Sequence, residues 1–304
     1  TDLINQKSKH IYHLEKKMGA LKTHLKLLED QGTATMSREL MNLRRKLMKM
    51  KTQQASLKQE NSDWKRTLDK KTKEYIIQEI DDWKTLAVEG HFHAKNPWLP
   101  YHEMLSTSYS KLIGAKSSEV IAMNTLTVNL HLMMVSFYKP EKNKFKILIE
   151  KDAFPSDIYA VESQIKFHGF KADEALIKLE PRKGEYYIRQ EDIEKIIKEN
   201  SNEIALILIG GVNYYTGQLF DMQKITKVGH EHGIVVGFDL AHAIGNVKLE
   251  LNKWNVDFAV WCSYKYLNSG PGAIAGAFVN ERFHNVELPR FTGWWGHNLS
   301  LIHI

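Results

Sequence analysis

The sequence predicts an α/β domain, a mostly parallel sheet with helices on both faces, preceded by an α-helical coiled coil. Three observations carry this. All seven prolines and 29 of the 31 aromatics lie after residue 72, whereas residues 1–72 hold no proline, no phenylalanine and only Gly19 and Gly32. Apolar residues recur every seven positions through that first quarter. Beyond it, short Val/Ile-rich runs alternate with helical patterns, the signature of strands covered on both faces.

Residues 1–72 justify the coiled coil. Ile4, Ile11, Met18 and Leu25 form one row, and Leu14, Leu21 and Leu28 a second, three residues on. These are the two apolar positions of a heptad. The register breaks at residues 31–35 and resumes with Leu40, Leu47, Gln54, Asn61 and Leu68 beside Met36, Leu43, Met50, Leu57 and Trp64. A hairpin turning at Gly32 and one long helix with a register shift both fit. Glycine and two β-branched threonines in the gap favour the turn. Asn61 at a core position would select register and oligomer state.

From residue 72 onward, Tyr75, Ile76, Ile80 and Trp83 predict a last amphipathic helix, and Gly90-His91 and residues 97–100 read as loops. Strands are expected at 120–123, 145–149, 204–209, 234–238, 258–261 and 273–278. Helices are expected at 126–137, 156–167, 191–198 and 222–232.

Charge and cysteine content exclude several classes. The net charge is +6. Residues 1–72 hold 17 Lys/Arg against 8 Asp/Glu, and residues 73–304 hold 25 against 28, so the basic excess lies wholly in the coiled coil. Arg44, Arg45, Lys46, Lys49 and Lys51 invite a nucleic-acid reading, but no aromatics interleave with them, and a solvated helix face accounts for the run. Nucleic acid is therefore not an expected partner. Cys262 alone excludes a disulfide scaffold and a multi-cysteine zinc site. No apolar run reaches the roughly 18 residues of a membrane span, so no membrane partner is expected and the chain is read as cytoplasmic.

Ligands in open α/β sheets sit at the carboxyl ends of strands. After 120–123 come Asn124-Thr125-Leu126-Thr127 and a helix, whose free N–H groups suit a phosphate as well as a threonine cap. After 145–149 come Phe154, Pro155, Ser156 and Asp157, where an aromatic could stack on a planar ligand or sit in the core ahead of a helix start. After 234–238 come Asp239 and His242, which could hold a metal or a cationic ring nitrogen, or merely cap a helix. After 258–261 comes Lys265 between Tyr264 and Tyr266; burial would make it a nucleophile toward carbonyls, and a snorkelling lysine is the plainer alternative. Each signal is weak alone. Their order (phosphate-type helix start, stacking aromatic, strand-end Asp, then a lysine 26 residues later) is the layout of a pyridoxal-phosphate enzyme. No metal is expected.

Residues from about 73 to 298 resemble the kynureninase family, fold-type-I pyridoxal-phosphate enzymes of transferase-like fold. The likeness rests on residues 124–131 (Asn-Thr-Leu-Thr-Val-Asn-Leu-His), 153–157 (Ala-Phe-Pro-Ser-Asp), 237–243 (Gly-Phe-Asp-Leu-Ala-His-Ala), 261–268 (Trp-Cys-Ser-Tyr-Lys-Tyr-Leu-Asn) and 293–297 (Gly-Trp-Trp-Gly-His). The resemblance implies that Lys265 is the Schiff-base lysine and that Asp239 pairs with the pyridinium nitrogen, His242 lying in the same site. Leu126 and Thr127 would hold the phosphate with Tyr264 and Trp294. Phe154 would stack on the ring, with Pro155, Ser156 and Asp157 beside it. His91 would lie near the substrate's aromatic ring. Gly210 falls where animal members often carry serine, so a hydroxyl contact is lost there. The implied reaction is hydrolysis of L-kynurenine or 3-hydroxykynurenine to anthranilate or 3-hydroxyanthranilate plus alanine, in tryptophan catabolism and NAD biosynthesis, by a homodimer.

The sequence also departs from the family. Residues 1–72 stand where the family has a glycine-rich segment, and are read as a lineage-specific or misjoined start. The family's C-terminal small domain, which supplies an arginine for the substrate carboxylate, is missing, and 299–304 are read as a non-native tail. Two readings follow: a fragment of a kynureninase, which is favoured, or a coiled-coil interaction protein carrying an inactive, truncated cofactor domain, with a partner held through 1–72. Either way, turnover by residues 1–304 is expected to be impaired or absent.

Overall fold

The computed structural model describes residues 2–31 and 36–291, with side chains described for 7–27 and 41–291. They form two compact units, Thr1–Trp98 and Leu99–Ile304.

The first unit is a helical hairpin of α1 (Asp2–Gln31) and α2 (Met36–Leu86). The two run antiparallel: Asn61 Nδ2 donates to Ser8 Oγ at 3.2 Å, and Gln54 Nε2 to Glu15 Oε1 at 2.8 Å. Of the two arrangements left open by the heptad break, this is the hairpin; residues 32–35, where the turn at Gly32 is expected, lie outside the described residues. Leu14, Met18 and Leu25 are buried in the seam, Leu43, Leu47, Met50 and Leu57 are half-buried, and Asn61 is buried. Ile4, Leu28, Met36 and Leu40 lie outside the described side chains. Trp64 and Leu68, which continue the heptad pattern, are exposed.

Helix α2 runs unbroken through residue 72, so the compositional change falls inside a helix rather than at a linker. Tyr75, Ile76, Ile80 and Trp83 belong to α2, not to a separate final helix, and all four are exposed. Gly90-His91 was expected in a loop. Instead Glu89 and Gly90 take right-handed helical backbone, and α3 (Gly90–His93) continues the chain. The chain then folds back on α2: Asp82 Oδ2 accepts from the Lys95 N–H at 3.2 Å, and Glu79 accepts from Asn96 Nδ2 and Trp98 Nε1.

The second unit opens with α4 (Ser106–Ile113), β1 (Val120–Ala122), α5 (Leu126–Phe137), β2 (Lys146–Glu150), α6 (Pro155–Phe167) and α7 (Ala172–Ala175). It continues with β3 (Leu176–Leu179), α8 (Gln190–Glu199), β4 (Ile204–Gly210), α9 (Met222–Glu231), β5 (Val235–Asp239), β6 (Phe258–Trp261) and β7 (Gly276–Val279). The seven strands form one sheet in the order β1-β7-β6-β5-β4-β2-β3. The stretch from β6 to β3 is parallel, and β7 runs antiparallel to both β6 and β1.

Period-two alternation divides the sheet's side chains between two cores. Phe258, Val260, Leu206 and Leu208 face α5 and α6, packing with Leu130, Met133, Phe137 and Val161. Ala259, Trp261, Ile207 and Ile209 face α8 and α9, packing with Ile193, Ile197, Ile225 and Val228. Strand spacing at one point depends on glycine: a Cβ at Gly237 on β5 would lie 2.1 Å from the Phe258 ring on β6. Where those two strands begin, the buried Asp257 carboxylate accepts from the Val236 N–H at 2.6 Å, from His230 Nε2 at 2.8 Å and from Arg282. Among the described residues, no helix is long and apolar enough to cross a membrane.

Candidate functional site

The carboxyl ends of β2, β4, β5 and β6 converge on one small cavity of about 90 Å³ that opens to solvent. Strand polarity explains the convergence: parallel strands all deliver their following loops to the same edge.

Each wall has a local cause. At the first, Asn124 takes left-handed backbone (φ 49°), which asparagine tolerates, and turns the chain from β1 into α5. Thr125 caps that helix, its Oγ1 accepting from the Val128 N–H at 3.4 Å. The first N–H groups of an α-helix have no partner inside it and carry the positive end of the dipole. Here they belong to Leu126 and Thr127, both on the cavity wall. Thr127 Oγ1 lies 3.2 Å from Ser156 Oγ, at the start of the neighbouring α6.

Helix α6 begins at Pro155, whose fixed φ suits a first helical position. Pro155 shapes this start while Phe154, Ser156 and Asp157 line the cavity. Lys265 Nζ stands 5.2 Å from the centre of the Phe154 ring, a cation–π approach, and 6.0 Å from that of Tyr264. Phe154 meets Tyr214 edge-on, with 5.2 Å between ring centres.

Asp239 ends β5. It is buried and accepts from the Ala241 N–H at 2.6 Å. Asp157 is buried too, and its Oδ1 has no hydrogen-bond partner. Burial is the main force raising both carboxyls, and Asp239's charge raises Asp157 further, which favours their protonated forms. Burial also lowers His242, helped by the Lys265 charge, which favours its neutral form. Burial raises the thiol of Cys262, making it a poor nucleophile despite its closeness to Lys265 in sequence.

The fold therefore brings together Leu126, Thr127, Phe154, Ser156, Asp157, Gly210, Asp239, His242, Tyr264 and Lys265. His91 belongs to the first unit, where its Nδ1 lies 2.9 Å from the Val88 carbonyl oxygen and its ring packs edge-on against Trp98. Trp294 lies outside the described residues. Reading the sequence missed four wall residues, Glu150, Val212, Tyr214 and Ala241. Glu150 sits directly at the end of β2, the position that drew attention to Asp239 on β5. Tyr214 lies four residues past β4, in a segment that reads only as a polar turn. Among the described residues, no cluster of three or more His, Cys, Asp or Glu side chains is arranged to hold a metal.

Residues 68–287 match the family model Aminotransferase class-V. The chain belongs to the aminotransferase class-V family. It is also similar to curated kynureninases. It is 59% identical to that of Flavobacterium johnsoniae over 230 residues, covering 75% of this chain and 54% of the relative. With that of Nematostella vectensis it shares 55% over 225 residues, covering 74% and 48%. The chain thus spans about half the length of the curated relatives it matches. Among solved structures, the cysteine desulfurase of Thermococcus onnurineus NA1 superposes with a TM-score of 0.58 at 19% identity, covering 75% of this chain and 56% of that one. The cystine C–S lyase C-DES gives 0.60 at 15%, covering 74% and 58%. A variant of the same lyase, described with glycine covalently linked to its PLP cofactor, gives 0.60 at 14%. At such identities these likenesses establish the fold alone.

Proposed function

We propose that residues 73–298 are the cofactor-binding part of a kynureninase, which hydrolyses L-kynurenine or 3-hydroxykynurenine to anthranilate or 3-hydroxyanthranilate and L-alanine. The observation that carries the proposal is the cavity itself. One ammonium, a carboxyl pair, an aromatic face and a helix N-terminus meet there, in a chain that is more than half identical to named kynureninases over 225–230 residues.

The residues present fit pyridoxal 5'-phosphate. The orphaned Oδ1 of buried Asp157 and the acid pair it forms with Asp239 call for a cationic donor. The first turn of α5, with the hydroxyls of Thr127 and Ser156, suits a phosphate. When bound, the cofactor supplies an aldehyde and a ring that accepts electrons. Lys265 Nζ would bind the aldehyde carbon. Asp239 would hold a proton on the ring nitrogen, and His242, kept neutral, would lie beside it without adding charge. Phe154 would cover the ring face, and Tyr264 would join Leu126 and Thr127 at the phosphate, with Trp294 assigned there too. His91 is assigned to the substrate's aromatic ring.

We also propose that the protein acts in the cytoplasm as a homodimer; a lone buried thiol is compatible with a reducing compartment. Titrating the purified chain with pyridoxal 5'-phosphate tests the reading. A visible absorbance band should form, and Lys265→Ala should abolish it while leaving the melting temperature of the cofactor-free protein within about 2 °C, as expected for a surface-accessible site. Persistence of the band in the variant would rule out Lys265. Anthranilate release by residues 1–304 is expected to be weak or absent, since they span about half the relatives' length.

A further inference from the structure

Tyr214 stands on the cavity wall, yet the roles given above leave it out. Its ring meets Phe154 edge-on, with 5.2 Å between ring centres and the planes 88° apart, and lies 6.5 Å from the His242 ring. Phe154 in turn is the ring that Lys265 Nζ approaches to 5.2 Å. Phe154 and Tyr214 are 44% and 41% exposed, so neither is fixed by a core and the contact between them carries weight. The backbone beneath Tyr214 is built around one buried side chain, Asn213. Its Oδ1 accepts from the Tyr215 N–H at 3.0 Å, the Thr216 N–H at 2.9 Å and the Thr216 hydroxyl at 3.2 Å. An asparagine oxygen bonded to the backbone just ahead of it closes a turn. Gly217 completes the turn in left-handed backbone (φ 71°), donating to the Asn213 carbonyl at 3.0 Å. The other end of the amide crosses to the neighbouring loop, where Nδ2 donates to the Asp152 carbonyl at 2.9 Å. Donors on one side and a carbonyl on the other settle which end is oxygen. One side chain thus ties the loop after β2, which carries Phe154, to the loop after β4, which carries Tyr214.

We propose that Tyr214 is a positioning residue for the cofactor: held by the Asn213 bridge, its ring braces Phe154 edge-on, so that Phe154 is set to cover a planar ring before one binds. The claim rests on the pyridoxal-phosphate reading of the site and deepens it. A side chain fixed in advance need not be ordered when the ligand arrives, and the saving appears as affinity. Edge-on aromatic pairs are strong enough to hold a half-exposed ring in this way. Asn213 and Tyr214 are therefore one device, the first setting the distance between two loops and the second filling it.

The test uses the full chain in two states. Without cofactor, the Phe154 ring is followed by NMR in protein carrying ring-labelled phenylalanine, with Phe154→Leu identifying its signals. Tyr214→Ala removes the brace, and the Phe154 signals should move toward those of an exposed phenylalanine as the neighbouring ring current is lost. Asn213→Ser keeps an oxygen that can close the turn but cannot reach the Asp152 carbonyl, and it should move the same signals. With pyridoxal 5'-phosphate, each variant should bind about threefold to tenfold more weakly, the worth of one edge-on pair. Tyr214→Phe keeps the ring and should restore both the signals and the affinity. Phe154 signals that stay in place in Tyr214→Ala or in folded Asn213→Ser overturn the proposal, and so does unaltered binding. Should Asn213→Ser fail to fold, Thr216→Val, which deletes one of the three donors to Asn213 Oδ1, takes its place under the same criteria. If the unmutated chain does not bind the cofactor, the reading of the site fails, while the Phe154 signals still judge whether Tyr214 braces that ring.

Discussion

Glu150 makes the cofactor-free fold pH-dependent in a direction opposite to most carboxylates. Burial pushes its carboxyl from 4.5 to about 7, outweighing the Gly210 N–H that favours the charged form. The unfolded chain releases this proton near pH 4.5, whereas the folded chain keeps it until about pH 7. Between those values the folded state binds more protons, so stability falls as pH rises, by about 1.4 kcal/mol per pH unit. Across about two and a half pH units, the loss is about 3 kcal/mol; none of it is present below pH 4.5, and all of it above pH 7. Glu150→Gln removes the titration. Urea unfolding of both proteins, each without cofactor, at pH 4.5 and pH 8 measures the difference. The variant should gain about 3 kcal/mol on the parent between the two pH values, a relative midpoint shift of about 1 M or more. Parallel stability–pH profiles would refute the burial argument for this carboxyl.

Two further substitutions probe how the fold holds the site. Gly237→Ala places a methyl 2.1 Å from the Phe258 ring, on the strand that two residues later carries Asp239. Overpacking should destabilise by about 1–3 kcal/mol and weaken cofactor binding as β5 shifts; a normal melting temperature would show that the strands yield freely. Asp257→Asn leaves Arg282 without its buried acid and weakens the bond to the Val236 N–H. Thermal unfolding should show a loss of about 3–5 kcal/mol, and a change below 1 kcal/mol would mean that the cluster contributes little.

How far the sequence revealed this structure varies with the physics of each element. Fully buried strands were legible, because β4, β5 and β6 are unbroken apolar runs ended by Gly, Asp or a polar turn. Helix α5 falls at 126–137, as expected, between a threonine cap and the polar loop before β2. Strand β3 was missed: Leu-Ile-Lys-Leu is short, sits at the sheet edge and is only partly buried. Helix α4 was missed for want of a clear apolar period in Ser-Thr-Ser-Tyr-Ser-Lys-Leu-Ile. The heptads showed which residues meet in the hairpin but not where the contact ends, because Trp64 and Leu68 continue the pattern and yet are exposed. At the site, Lys265, Asp239 and the start of α5 announced themselves as polar residues at strand ends. Glu150, one residue past the strand expected at 145–149, was not singled out; only the packing against Gly210 shows that its carboxyl is kept inside.

Trapping the cofactor on the chain tests the central claim most directly. The purified protein is incubated with pyridoxal 5'-phosphate, reduced with borohydride and mapped by peptide mass spectrometry. The account predicts a stable phosphopyridoxyl group on the peptide containing Lys265, in near-stoichiometric yield, and none on the other lysines. Labelling spread over surface lysines, or a Lys265 peptide left unmodified, would contradict it.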